Sequence, residues 1–169
     1  METTAVRPGK IDWKALLARR SQKAPDALAH LIASGERVSG LVVSIGVHCD
    51  AKGPVPSRIL NFVQSLAGAG DIGGWSREDE FLLICAGERG ASAQRRLARI
   101  SRELWDFQLG SLGDFAILFS WGGLETENEP VEEAIELASV RMQETRRARR
   151  ALMKGEIRAA STFPAGLPS

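Results

Sequence analysis

At 169 residues the chain is long enough for one domain with a complete hydrophobic core, and its 44% hydrophobic and 25% charged residues are typical of a globular protein. A net charge of +1 excludes a global electrostatic attraction to nucleic acid or membranes. The amino terminus lacks the apolar core of a signal peptide and no apolar run approaches bilayer length, so we expect a cytoplasmic protein without a transmembrane segment. Cys49 and Cys85 lack metal-ligand spacing and are predicted to be reduced, structural thiols.

Residues 1–39 are predicted to form a lead and an N-terminal helical appendage. One amphipathic helix is predicted from Ile11 to Gln22, and a second from Pro25 to Ser34. The apolar side of the first helix packs either on the protein's own core or on a partner, and the sequence leaves both open. The candidate interface residues are Trp13, Leu16 and Leu17, and the opposite side carries Lys14, Arg19 and Arg20.

Residues 40–158 contain strands and helices in a definite order. The apolar run Gly40–His48 is typical of a central strand, and a helix is predicted from Pro56 to Gly68. Two apolar runs, 72–75 and 81–86, then flank a charged tip and predict a β-hairpin. A helix is predicted over 91–107 with one apolar face, and its opposite face carries Arg95, Arg99 and Arg102.

The last part of the chain is predicted to be a strand, an acidic loop and a basic helix. The strand covers 115–121, the loop extends to Pro130, and the helix follows with an apolar stripe that ends at Met142. Beyond this stripe, arginines cover nearly half of the helix circumference, so we expect the helix end to project past the sheet as an exposed basic arc. The residues of this basic arc are Arg146, Arg147, Arg149 and Arg150. Residues 159–169 are predicted to be a disordered tail.

This β-α-β-β-α-β order predicts an α+β, ferredoxin-like palm, in which helices cover one face of an antiparallel sheet. The topology places the hairpin tip beside the end of the first strand. Adjacent carboxylates on such a tip either hold a divalent cation or form an ordinary solvated turn.

The tip sequence Arg77-Glu78-Asp79-Glu80-Phe81 resembles the signature hairpin of GGDEF domains, the diguanylate cyclases that condense two GTP into cyclic di-GMP. Ser120-Trp121-Gly122 resembles the S-x-G that ends a later strand of that family. The segment from Ala138 to Arg146 resembles its A-D-x-A-L-Y-x-A-K helix. The resemblance covers residues 41–147 and implies a nucleotidyl-cyclase palm.

Four departures from the family pattern imply that its sites are impaired. Arg77 and Glu78 replace the two glycines that let the hairpin approach the nucleotide. The family's metal-binding aspartate on the first strand is missing, as is the segment that recognises guanine. The inhibitory R-x-x-D motif keeps its aspartate as Asp71 but has Gly68 at the arginine position. At the place of the missing strand aspartate the first strand offers Ser44, Gly46 and His48.

These departures predict a degenerate, catalytically inactive GGDEF-like domain that regulates or scaffolds bacterial signalling through a protein partner or as a homodimer. No catalytic residue, metal or cofactor is assigned, and neither cyclic di-GMP nor nucleic acid is expected to bind. A first alternative is a divergent metal-dependent nucleotidyl cyclase that uses Asp79 and Glu80. A second alternative is that the basic arc binds an acidic partner, although arginines at a helix end also complement the helix dipole.

Overall fold

The computed structural model describes residues 27–50, 53–112 and 116–161, and this part of the chain contains four strands and four helices. In chain order they are α1 (Ala27–Ser34), β1 (Arg37–Cys49), α2 (Ser57–Ser65), β2 (Ile72–Arg77), β3 (Glu80–Ala86), α3 (Ala91–Gly110), β4 (Ile117–Pro130) and α4 (Val131–Ser161). The candidate interface residues Trp13, Leu16 and Leu17 lie outside the described residues, as does the part of the predicted tail beyond residue 161.

The four strands form one antiparallel sheet in the spatial order β2-β3-β1-β4. Strand β1 is central and pairs with β3 on one side and with β4 on the other. This order, together with the β-α-β-β-α-β sequence of elements that follows α1, is the ferredoxin-like arrangement. The predicted fold class is therefore confirmed.

Helices cover both faces of the sheet, whereas the sequence predicted cover on one face. One face of β1 packs with α2 and α3 around residues such as Val43 and Ile45. The other face packs with α1 and α4 around residues such as Val42. A strand that is apolar on both sides needs cover on both sides, so the continuous apolar run of β1 already contained this signal.

The helix α1, predicted as part of the N-terminal appendage, packs directly on the sheet. Leu28 and Ile32 are fully buried in the same cluster as Ala134 and Ala138 of α4. Burying a leucine or isoleucine contributes about 1.5–3 kcal/mol, so this short helix is held mainly by its tertiary contacts.

Strand β4 is much longer than predicted, because the segment interpreted as an acidic loop continues the strand to Pro130. Its residues alternate, with Leu124 and Thr126 buried while Glu125 and Glu127 are exposed. The Thr126 hydroxyl lies within hydrogen-bond distance of the Val38 and Gly40 carbonyl oxygens, at 3.0 and 3.1 Å, where the β1–β4 register shifts. Such alternation of period two is the signature of a strand, and the acidic composition concealed it.

Among the described residues, the other predicted helices and strands occur where the sequence placed them, with shifted ends. The helix predicted from Ile11 to Gln22 lies outside the described residues. Helix α4 continues past Ala159, where the tail was predicted to begin. No helix within the described ranges is long and apolar enough to cross a membrane.

Candidate functional site at the hairpin tip

The hairpin tip lies beside the end of β1, as the predicted topology requires. Glu78 and Asp79 form the turn, and Arg77 pairs with Glu80 across the two strands. The Val47 amide of β1 donates a 2.8 Å hydrogen bond to the Asp79 carbonyl oxygen. The backbone of the tip is therefore attached to the central strand.

Glu80 is not a surface residue, in contrast to the predicted charged tip. Its side chain is 1% exposed, and its Oε1 accepts a 2.7 Å hydrogen bond from the Ser44 hydroxyl of β1. The Arg77 Nε lies 3.8 Å from its other oxygen, Oε2. Glu80 is paired with Gly46 in the strand register and therefore lies on the same face of the sheet, the one covered by α4. A buried carboxylate is tolerated only when it is paired and hydrogen-bonded, and Ser44 and Arg77 supply that compensation.

Asp79 is held by an arginine from α4. The Arg146 Nη1 lies 3.4 Å from the Asp79 Oδ2, with the arginine side chain 12% and the aspartate side chain 49% exposed. A Cβ atom added to Gly46 would lie 2.9 Å from the Arg146 Nη2 and 2.8 Å from the Ser120 hydroxyl oxygen. The guanidinium of Arg146 therefore lies over β1, in space that a side chain at position 46 would need.

The polar contacts of this cluster are incomplete. Within the described residues, the Nε and Nη2 of Arg146, the Ser120 hydroxyl and the Glu80 Oε2 have no hydrogen-bond partner. The Glu80 Oε2 has only the long ion pair with Arg77. Arg146 is therefore held by its ion pair with Asp79, and its guanidinium lies in the space left by the absent side chain of Gly46.

Arg149 also folds back onto the sheet. Its guanidinium lies 4.2 Å from the ring centre of Trp121 and 5.8 Å from that of Trp105, and its Nη1 donates a 2.5 Å hydrogen bond to the Phe119 carbonyl. Burial lowers the pKa of Arg149. Stacking on tryptophan faces and a carbonyl acceptor are the usual compensation for desolvating a guanidinium.

The prediction that all four arginines of the basic arc are exposed is therefore wrong for two of them. Arg146 and Arg149 face the sheet, and only Arg147 and Arg150 are exposed. Arginine has a long aliphatic stem, so it can extend an apolar stripe when distant elements supply acceptors for its head group. The second alternative, an exposed arginine cluster for an acidic partner, loses half of its residues.

The outer edge of β4 is capped by side chains from both helical layers. Arg141 of α4 donates a 2.7 Å hydrogen bond to the Gly123 carbonyl, and Arg149 binds the Phe119 carbonyl. From the other layer, the Gln108 Oε1 of α3 accepts a 3.1 Å hydrogen bond from the Phe119 amide. An edge strand with capped backbone groups is a poor template for adding another strand.

The degenerate inhibitory-site position forms a buried ion pair with another element. Asp71 accepts a 2.6 Å hydrogen bond from the Gly68 amide and is paired with Arg96 of α3. Arg96 also donates a 2.9 Å hydrogen bond to the Leu66 carbonyl. The guanidinium of Arg96 thus lies near Gly68, the position of the missing arginine. Its contacts with Asp71 and Leu66 join the loop before β2 to α3.

Cys85 is expected to resist thiol reagents in the folded protein. Burial and the nearby negative charge of Asp71 raise the pKa of the Cys85 thiol to about 12, and the residue is fully buried. The folded state favours the neutral thiol of Cys85. The contribution of this thiol to the free energy of unfolding is therefore complete below its ordinary pKa, and it is lost as the pH rises above that value. At pH 8, a maleimide is expected to label the half-buried Cys49 well before Cys85. Equal labelling rates in the folded protein, measured by mass spectrometry, would contradict this assignment.

The residues present do not fit a two-magnesium site. The described ranges contain no group of three or more His, Cys, Asp or Glu side chains that could hold a metal ion. Glu80 is buried against Ser44 and Asp79 is paired with Arg146. The exposed Asp50 carboxylate lies 3.5 Å from the His48 ring. Of the three tip carboxylates, only Glu78 is exposed and outside these contacts. Magnesium prefers several oxygen ligands that remain free to coordinate, and the tip does not supply them.

Sequence reasoning named Ser44 and Ser120 without assigning them a contact, and it did not single out Trp105 or Arg96. Ser44 and Ser120 each interrupt an apolar strand, and a hydroxyl in such a position indicates a buried hydrogen-bonding site. Trp105 and Arg96 lie on α3, for which the sequence predicted an apolar face and an opposite face with Arg95, Arg99 and Arg102. No local signal connects them with Arg149 and Asp71, because these contacts join distant parts of the chain.

The fold and the site together define a ferredoxin-like palm in which Asp79 and Glu80 of the hairpin tip are bound by side chains of the same chain. No family model and no curated protein matches the sequence. Among solved structures, the chain is similar to a sensory box/GGDEF family protein from Caulobacter crescentus CB15, with 18% sequence identity over 80% of this chain and 90% of that chain and a TM-score of 0.49. The fold class itself rests on the strand order and register described above.

Proposed function

We propose that this domain is a catalytically inactive GGDEF-like module that acts in signalling through protein contacts. One observation carries the proposal: the two tip carboxylates that match the family signature, Asp79 and Glu80, are engaged by side chains of the same chain. Glu80 binds Ser44, and Asp79 pairs with Arg146. The tip then serves as a structural joint between β1, β3 and α4 and not as a metal ligand.

Coordination of a metal by Glu80 would carry a large energetic cost. The carboxylate is almost fully buried, so it would have to leave the Ser44 hydroxyl and rotate out of its site. Leaving a buried polar group without its partner costs about 1–3 kcal/mol before any metal is bound.

Arg146 further disfavours a divalent cation at the tip. Its guanidinium already supplies positive charge to Asp79 and lies over Gly46, the part of β1 where the resemblance would place the family's metal-binding aspartate. A second cation at the same place would be repelled by Arg146. Two-metal phosphoryl transfer needs two ions close together, and this arrangement disfavours even one.

Incubation of the full chain with GTP and Mg²⁺ or Mn²⁺ is expected to yield no cyclic di-GMP. Calorimetric titration with the nucleotide is likewise expected to give no metal-dependent heat, because neither Asp79 nor Glu80 is free to coordinate. A measurable rate that is lost in Asp79→Ala but kept in Asp106→Ala would overturn the proposal in favour of a divergent nucleotidyl cyclase. Asp106 is the matched control because it is an exposed aspartate on α3, outside the cluster.

A further inference from the structure

The outer edge of β4 directs backbone groups away from the sheet. The Val47 amide of β1 points to Asp79 on the side of β3, so Phe119, the partner of Val47 in β4, directs its own amide and carbonyl away from β1. Backbone direction alternates along a strand, and Trp121 and Gly123 therefore also direct their backbone groups outward. The outward groups of Phe119, Trp121 and Gly123 are called the β4 edge below.

Side chains from both helical layers bind the β4 edge. The Gln108 side chain of α3 binds the Phe119 amide. Arg149 and Arg141 of α4 bind the carbonyl oxygens of Phe119 and Gly123, respectively. These three side chains, called the edge caps below, use the same backbone groups that a neighbouring strand would need. The edge is therefore closed to another strand while the caps are in place.

Arg149 reaches the β4 edge from the opposite face of the sheet. It belongs to α4, whereas the Trp121 ring on which it stacks packs with the layer of α2 and α3. Its guanidinium also lies 5.8 Å from the ring centre of Trp105 on α3. The arginine side chain therefore runs around β4 and joins the two helical layers outside the strand.

Apolar side chains of α3 lie beside the edge caps. Trp105 is 47% and Leu109 is 48% exposed, and they lie one helical turn apart. Arg149 stacks on Trp105, and Gln108, the residue before Leu109, reaches the Phe119 amide. Exposed large apolar side chains in such a position are surface that the pairing of two strand edges would bury.

A second copy of the chain fits the β4 edge about a twofold axis through Trp121. Two antiparallel β4 strands related in this way set Trp121 opposite its own copy and Phe119 opposite Gly123. All three residues direct their backbone groups outward, so each of these pairs exchanges hydrogen bonds between the two chains. Both copies then have α3 on the same side of the joined sheet, and their exposed Trp105 and Leu109 side chains face the contact.

The glutamates of β4 favour this register over others. Glu125 and Glu127 are exposed on the later half of the strand. With Trp121 at the twofold axis, Glu125 of one copy lies opposite Ile117 of the other. An axis closer to Pro130 would set like charges opposite each other, which is destabilising. The glutamates therefore confine the pairing to the part of β4 that the edge caps cover.

We propose that the β4 edge is a dimer interface held closed by the edge caps, and that the β4 edge of a second copy occupies it when the caps are removed. The inference does not depend on the proposed function, because the β4 edge takes no part in the contacts of the hairpin tip.

Sedimentation velocity of an uncapped variant tests the proposal. Gln108→Ala/Arg141→Ala/Arg149→Ala removes the edge caps from the full chain, and circular dichroism checks that the variant is folded at the temperature used. We expect its dimer dissociation constant to be about tenfold or more below that of the parent protein, because the freed backbone groups gain hydrogen bonds between chains. A folded uncapped variant that sediments as the parent protein does at every concentration would overturn the proposal.

Two control variants separate edge pairing from loss of charge and loss of stability. Arg147→Ala/Arg150→Ala also removes two positive charges from α4, but at exposed positions, and it leaves the edge caps intact. Val63→Ala destabilises the core at a fully buried residue of α2, away from the β4 edge. Both controls are expected to sediment as the parent protein does. Dimerisation of either control to the extent of the uncapped variant would contradict closure by the caps.

A milder variant decides the question if the loss of Arg149 unfolds the chain. Gln108→Ala/Arg141→Ala frees the Phe119 amide and the Gly123 carbonyl, while Arg149 keeps its stacking. We expect the dissociation constant of this double variant to decrease as well. An unchanged constant in the folded double variant would overturn the proposal.

Hydrogen exchange locates the surface through which the uncapped variant dimerises. In dimers paired through β4, the Trp121 and Gly123 amides are expected to exchange about tenfold or more slowly than in dilute monomers. The Ser120 amide points to β1 in both states and is the internal reference. Dimers in which the Trp121 and Gly123 amides exchange as fast as in the monomer would overturn the assignment of the interface. The same slowing in concentrated parent protein would show that the caps do not close the edge.

Discussion

Replacing Gly122 with alanine is expected to destabilise the protein by about 1–3 kcal/mol. The added Cβ atom would lie 2.4 Å from the Met142 backbone nitrogen and 2.6 Å from the Arg141 carbonyl carbon. These are backbone atoms of α4, so they cannot rotate away, and the helix must shift from the sheet. Each kcal/mol lost lowers the melting temperature of a chain of this size by about 2–4 °C, which thermal unfolding followed by circular dichroism measures.

Gly155→Ala is the matched control for Gly122→Ala. Gly155 also lies in α4, but nothing is within 4 Å of the place where its Cβ atom would lie. Alanine in an open helical position stabilises a helix by up to about 1 kcal/mol relative to glycine, so a slightly raised melting temperature is expected. If Gly122→Ala melted at the parent temperature, α4 would not be seated on β4 as described.

Arg149→Ala is expected to destabilise the protein by about 2–3 kcal/mol. The change removes the charged hydrogen bond to the Phe119 carbonyl, worth about 1.5–3 kcal/mol, and the stacking of the guanidinium on the Trp121 ring, worth about 0.5–1 kcal/mol. Part of this contribution is offset by the cost of desolvating Arg149. Urea unfolding monitored by tryptophan emission measures the loss, and the folded spectrum is expected to change as well, since the guanidinium lies against the Trp121 and Trp105 rings.

The neighbouring arginine provides the comparison for Arg149→Ala. Arg150 is exposed, so Arg150→Ala is expected to change the stability by less than about 0.5 kcal/mol. Equal effects of the two substitutions would restore the sequence-based prediction of a uniformly exposed basic arc.

Gly122→Ala and Arg149→Ala both bear on the proposed function, because both are expected to change the position of Arg146. Gly122 allows α4 to approach β4 closely at Met142, and Arg149 holds the same helix about two turns further along. Between these two contacts, Arg146 reaches over Gly46 to Asp79. The proposed inactive state of the hairpin tip therefore depends on how closely α4 is seated on the sheet.

Three features of the family-like pattern have direct physical explanations in this structure. The glycine of Ser120-Trp121-Gly122 is required where the α4 backbone meets β4, and the serine is buried beside Gly46. In α4, Ala138, Met142 and Arg146 recur every four residues because they face the sheet in succession. The aspartate before the hairpin is retained within an ion pair to Arg96.

Much of the fold could be predicted because hydrophobic periodicity is a local property. The apolar run of β1, the hairpin and the amphipathic α3 each contain enough signal within about ten to twenty residues to identify the element. The order of these elements then limits the topology to very few choices. The extension of β4 was missed because charged residues on its exposed side concealed an alternation that was present in the sequence.

The sequence alone determined the order of elements, the central strand, the antiparallel palm and the identity of the hairpin tip, because each depends on neighbouring residues or on chain order. Only the tertiary structure decided what the charged residues do. Glu80 is stable in a buried position because Ser44 of another strand donates a hydrogen bond to it. Arg146 and Arg149 turn inward because Asp79, Phe119 and Trp121 supply acceptors and a ring face. A charge becomes stable in a buried position through partners that are distant in sequence, and no local pattern reports those partners.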